Sequence, residues 1–164
     1  MRFLLSLLLT FAFAAPQTQW REATQAELTS LIPARAPVEQ ERIETEFRTA
    51  SGLTDGHGKF IAGVVLITAG YSAEGKYSHY FITQAPLRIA DFSLAPGNYV
   101  FGYHRQGEEL TVRFYQAADG KPVGTAIAHR TETSGPIRSF ALKHSANNAT
   151  IVIGRYGIPF HITP

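Results

Sequence analysis

The chain has 164 residues, 45% of them apolar and 17% charged, with 15 basic side chains against 13 acidic ones. That near balance, with Lys and Arg scattered along the chain, argues against a nucleic-acid partner, which would want basic residues gathered into one stripe. Cysteine is absent, so neither disulfides nor thiolate metal sites hold the fold, and stability falls to the core or to partners.

At the start, Arg2 is followed by the apolar run "FLLSLLLTFAF" and then by small residues at Ala12 and Ala14. This pattern predicts a signal peptide over residues 1–14, cleaved after Ala14, and hence an exported protein, periplasmic or extracellular. The run falls short of the roughly 20 residues of a spanning helix, and no second apolar run approaches that length, so no membrane span is expected after cleavage. Removing 14 residues leaves 150, enough for one domain with one core.

Residues 15–39 carry few large apolar side chains and include Pro16, Pro33 and Pro37. Within them Thr24 stands three residues before Glu27, a capping-box spacing, and Leu28, Leu31 and Ile32 share one helical face. One short helix ending at Pro33 is predicted, packed over a sheet edge in preference to serving as a docking arm.

The period changes to two from residue 40, and residues 40–164 are expected to form the main domain. In "ERIETEFRT", Ile43, Thr45, Phe47 and Thr49 alternate with charged residues, as in a half-buried strand, although the glutamates leave a helix as the rival. "SGLTDGHGK" supplies a turn, and "FIAGVVLITAG" follows as a strand buried on both faces. Seven further segments alternate as strands: "KYSHYFIT", "LRIADFSL", "NYVFGYHR", "ELTVRFYQ", "GTAIAHR", "IRSFALKH" and "ATIVIGRY". "GIPFHI" closes the chain as a strand or extended tail. The fold class is therefore all-β, an antiparallel β-sandwich or open barrel of about eight or nine strands with one N-terminal helix.

Chemistry is harder to find. Ser72, at the tip of "VVLITAGYSAEG", has Gly70 two residues before it, as a nucleophile elbow requires, but Glu74 occupies the second glycine position and a strand follows in place of a helix. Ser72 is therefore expected to be a loop serine. Six histidines, His57, His79, His104, His129, His144 and His161, fall on separate elements without His-x-His or His-x-x-x-His spacing. No metal and no cofactor is called for. His79 and His104, both set among aromatics, are the first suspects if the chain is an enzyme. Glu108 and Glu109 are adjacent and would point to opposite faces of a strand, while Asp91 and Asp119 suit turns. "TDGHGKF" lacks the Walker lysine spacing and precedes a strand.

Tyr71, Tyr77, Tyr80, Tyr99, Tyr103, Tyr115 and Tyr156 fall in or beside the predicted strands. Exposed rings of this kind can stack on sugars, and Tyr115, sharing an outer face with Thr111 and Arg113 if Leu110, Val112 and Phe114 point inward, is the first place to look for a glycan. Core packing is the commoner use of strand tyrosines. Asn148-Ala149-Thr150 matches a glycosylation sequon.

"LAPGNYVFGYHRQGEELTVRFY" and "SANNATIVIGRYGIPFHI" together resemble the strand, Pro-Gly hairpin, strand unit and the closing hairpin of a family of exported bacterial proteins catalogued as a domain of unknown function. The likeness spans roughly residues 92 to 162. It implies an exported sandwich and transfers no catalytic residue. The expectation is thus an exported, non-enzymatic domain that binds a protein partner or ligand in the bacterial envelope or outside the cell. The alternatives are an enzyme acting on envelope or extracellular polymers, and a carbohydrate-binding module.

Overall fold

The computed structural model describes residues 19–68, 76–132, 135–145 and 148–163. Ala14, Ser72 and Tyr71 lie outside these residues. The elements in chain order are β1 (Arg21–Glu22), α1 (Gln25–Leu31), β2 (Arg35–Val38), β3 (Glu41–Thr54), β4 (Phe60–Leu66), β5 (His79–Thr83), β6 (Leu87–Ile89) and β7 (Phe92–Leu94). They continue with β8 (Gly97–Gln106), β9 (Glu109–Gln116), β10 (Pro122–Arg130), β11 (Arg138–Ser145), β12 (Asn148–Gly154) and β13 (Tyr156–Ile162).

The protein is all-β, as the alternating segments implied, but the described residues hold one short helix and 13 strands, not eight or nine, and the strands form one antiparallel sheet rolled nearly into a barrel. The wall runs β3-β4-β5-β8-β9-β10-β13-β12-β11. Every neighbouring pair along it is antiparallel. Nine strands alternating in direction return the ninth in the sense of the first, so β11 meets β3 in parallel, and the described pairings include no ladder between them. The seam is held by other means. The Leu142 amide donates to the Ser51 hydroxyl at 2.9 Å, and β1, paired with the end of β3, also touches β11.

Side chains alternate cleanly across this wall. Ile61, Phe81, Tyr99, Phe101, Leu110, Val112, Phe114, Phe140, Ile151, Ile158 and Phe160 point into the barrel. Its middle is filled by rings, with Phe101 and Phe114 centroids 5.0 Å apart and Phe81 packed edge-on to both. Small barrels close down to a width that side chains fill, and this one follows that rule. One end is stoppered by the β6–β7 hairpin, which lends Leu87, Ile89 and Leu94 to the interior, and Trp20 packs against the same core.

A second apolar layer lies outside the wall. Ala62, Val64, Tyr80, Ile82 and Val100 face outward and are covered by Leu28 and Ile32 at the end of α1, and by Ala36, Val38 and Ile43 of the β2–β3 hairpin. This explains why β4 and β5 are buried on both faces. The hairpin tip is pinned by the Glu39 amide donating to the Ala117 carbonyl at 2.6 Å and by the Tyr77 hydroxyl donating to the Glu39 carboxylate. α1 starts as predicted, with a full capping box between Thr24 and Glu27.

Three expectations need correction. "LRIADFSL" is a hairpin, not one strand, because Ala90 takes a left-handed conformation, φ 49°, that alanine does not advertise in sequence. "SGLT" does not turn; β3 runs through it, and the reversal is made by Asp55, whose carboxylate accepts from the His57 and Lys59 amides. The sheet also begins before residue 40, since Pro37 sits in β2, an edge strand whose missing amide costs no ladder bond.

Candidate functional site

His79 opens β5 and points into the barrel, 3% exposed, stacked on Phe101 with centroids 4.6 Å apart and tilted against Phe140 at 5.4 Å and Tyr103 at 6.1 Å. Its Nδ1 lies 2.8 Å from the Ser78 hydroxyl, which is also 3.3 Å from the Phe101 carbonyl. Ser78 has one proton to give. If it goes to Phe101, Nδ1 carries the ring proton; if it goes to Nδ1, Nε2 does. In either tautomer Nε2 is buried without a well-formed partner. Burial pushes the imidazole down from 6.5 to about 3, an effect that the nearby Ser139 backbone offsets only in part.

His104 lies three residues beyond the partner of His79 on the neighbouring strand β8, so it faces the opposite side of the sheet and is exposed. The two suspects therefore do not share a site. His57, His129 and His161 are exposed and His144 is half-buried. His129 pairs with Glu109 at 3.0 Å, while Glu108 takes Arg130 at 3.0 Å and Arg105 at 3.8 Å. The adjacent glutamates thus have separate partners: Glu109 opens β9 directly opposite His129, while Glu108 lies in the β8–β9 turn. Asp119 caps the Lys121 amide in the β9–β10 turn. Among the described residues no three His, Asp or Glu side chains gather as a metal site would need.

Leu110, Val112 and Phe114 point inward, so Tyr115 and Arg113 do share the outer face. Arg113 is exposed, but the Tyr115 ring is half-buried, set edge-on against Tyr77 at 5.6 Å. Tyr77, Tyr80 and Tyr99 are buried and Tyr156 half-buried, which leaves Tyr103, 36% exposed, as the most open tyrosine among the described residues. No pair of tyrosine rings forms a stacking platform there. Asn148, of the sequon, is exposed at the start of β12.

Sequence patterning missed the end of the barrel where β4 ends and β5 begins. The β8–β9 turn, the exit of β10 and the entry of β11 lie at the same end, tied by the Glu108–Arg130 ion pair and by the pairing of Arg138 with Gly154. Of the four large apolar residues most exposed among those described, three sit at this rim: Ile67 at 53%, Tyr103 at 36% and Ile137 at 56%. The fourth, Ile127, is on the outer wall. Ile67 lies within an apolar segment and Ile137 opens an alternating one, so in sequence they look like ordinary core positions.

A second surface feature runs along the β3–β11 seam. It is a cleft of about 370 Å³ flanked by Glu22, Gln25, Ser51, Arg138 and Lys143. Comparison with known proteins found no matching family model, no matching curated protein and no matching solved structure.

Proposed function

We propose that the chain is an exported, non-enzymatic barrel domain that binds a protein partner in the bacterial envelope through its loop-bearing rim. The observation that carries this is the gathering of Ile67, Tyr103 and Ile137 at one end of the barrel, where β4 ends, β5 and β11 begin and the β8–β9 turn lies. Exposed apolar side chains collected at one place cost solvation unless a partner covers them, and loops on a rigid scaffold are where binding residues concentrate. The filled interior supports a surface role over carriage of a ligand inside the barrel. The likeness of residues 92–162 to exported sandwich proteins of unknown function fits the same location and adds no activity.

The test is a comparison of immobilised variants exposed to an envelope extract. A protein held by the native chain and by Ile127→Ser, but lost from the double variant Ile67→Ser/Ile137→Ser, is expected. Equal retention by all three, or none by the native chain, overturns the proposal.

A further inference from the structure

The β3–β11 seam is the weakest line in the barrel wall. It lacks a described backbone ladder and carries the 370 Å³ cleft on its outer side. On its inner side β11 sends Phe140 across to β4 and β5. The ring rests against Gly63 so closely that a Cβ there would come within 2.5 Å of it, and its next neighbours are His79 and Phe101. Beside the Leu142–Ser51 hydrogen bond and the contact with β1, β11 is therefore tied to the first half of the barrel by one aromatic stack with an imidazole in it.

We propose that His79 is an acid-sensitive latch: its protonation breaks the His79–Phe140–Phe101 stack and parts β11 from β3 while the rest of the barrel stays closed. A neutral imidazole fits the stack because it leaves only one nitrogen unsatisfied. A protonated ring must place a second N–H and a full charge among phenylalanines; the Ser78 hydroxyl and the Ser139 backbone can take an N–H, but among the described residues no carboxylate pairs with the ring to offset the charge. The elements packed on His79 offer little relief. From β4 the opposing residue is Val65; β3 places Glu46 opposite Val65, and Glu46 is already held by Arg48 at 3.0 Å. β8 supplies the Tyr103 phenol and, further along, Arg105, which is itself cationic and bonded to the Gly107 carbonyl. β11 supplies Phe140, and Arg138 near its start lines the outer cleft. The device is independent of the partner reading.

The direction follows from linkage. The imidazole is depressed in the closed barrel and ordinary once exposed, so between about 3 and 6.5 the open form binds more protons and opening grows as pH falls. From pH 7.5 to pH 5.0, opening is expected to rise about 30-fold. Hydrogen exchange, corrected for the intrinsic pH dependence, reads this directly on segments 138–145 and 109–116. The expected result is an increase of about that size in the first segment, little in the second, and no pH-linked increase in His79→Phe. An equal response in His79→Phe, or equal loss of protection in both segments, overturns the proposal. Should His79→Phe fail to fold, the His79 ring signal of the native protein decides the matter by NMR. A ring that titrates near 6.5 without any change in the protection of 138–145 contradicts the latch, and one that stays neutral in the closed form while opening increases supports it.

Discussion

Gly63→Ala is the substitution that probes the packing of the seam most closely. Gly63 lies inside β4, in extended backbone, where alanine is ordinarily better than glycine by about 0.5–1 kcal/mol. A Cβ built there would stand 2.5 Å from Phe140 Cζ, 2.8 Å from Cε1 and 3.2 Å from the Tyr80 carbonyl. Ordinary contact begins near 3.4 Å, so the ring must retreat by about 1 Å, and it is buried with His79 and Phe101 behind it. A 2.5 Å approach to a buried ring puts the cost in the upper half of the about 1–3 kcal/mol range for overpacking, and the alanine gain reduces this to a net loss of about 1–2 kcal/mol. With a urea slope of about 2 kcal/mol/M, the unfolding midpoint should fall by about 0.5–1 M at unchanged slope. Phe140→Leu withdraws the ring tip, so the double variant should be more stable than the summed single costs by about 1 kcal/mol. A neutral or stabilising Gly63→Ala, or strictly additive costs, would refute the packing described for the seam.

Gly120, at φ 68°, leaves no room for a side chain beside the Glu39–Tyr77 hydrogen bond. Gly120→Ala should cost about 2–3 kcal/mol from left-handed strain and the displaced bond, seen as a drop of about 5–10 °C in Tm by calorimetry; an unchanged Tm would show that the tip of the β2–β3 hairpin is not pinned there. Glu27 is held down to about 2 by its bonds to Arg21 and the Thr24 amide. Its contribution to α1 is therefore present above about 4.5 and fades as pH falls toward 2. NMR titration of Arg21→Ala should find the Glu27 carboxyl moved back up toward 4.5, and no movement would exclude the ion pair as the main cause.

α1 was legible because its signals are local: Thr24, Glu27 and the Leu28, Leu31, Ile32 face all lie within nine residues. β9 was legible for the same reason, since Leu110, Val112 and Phe114 alternate with charged and polar neighbours and face the core. The hairpin inside "LRIADFSL" was not, because its two-residue turn pairs Asp91, a turn former, with Ala90 at φ 49°, a left-handed conformation that alanine does not signal. β1 is two residues long and exists only through its pairing with Leu53 and Thr54, so no periodicity could mark it. The parallel seam is a property of how many strands stand in the wall, and no segment of the sequence carries it.

Candidate side chains divide in the same way. The hairpin at Glu108 and Glu109 was legible, and within it Glu109 meets His129 across the ladder while Glu108, in the turn, takes Arg130. Whether His79 and His104 converge depended on which face of adjacent strands each occupies, a matter of register, and register sent one into the core and the other to solvent. Tyr115 was placed on the correct face, but its half-burial comes from Tyr77, which the β2–β3 hairpin clamps from outside. The rim formed by Ile67, Tyr103 and Ile137 joins residues 36 and 34 positions apart in the chain, and only the closed wall puts them at one end.

The claim that the rim is the working surface is tested most directly by a hydrogen-exchange footprint of the native chain with a protein captured from envelope extract. Protection is expected in segments 64–68, 101–106 and 135–139, with segments 122–128 of the outer wall unchanged. Protection confined to the outer wall, or to the seam cleft beside Arg138 and Lys143 without the rim, would contradict it.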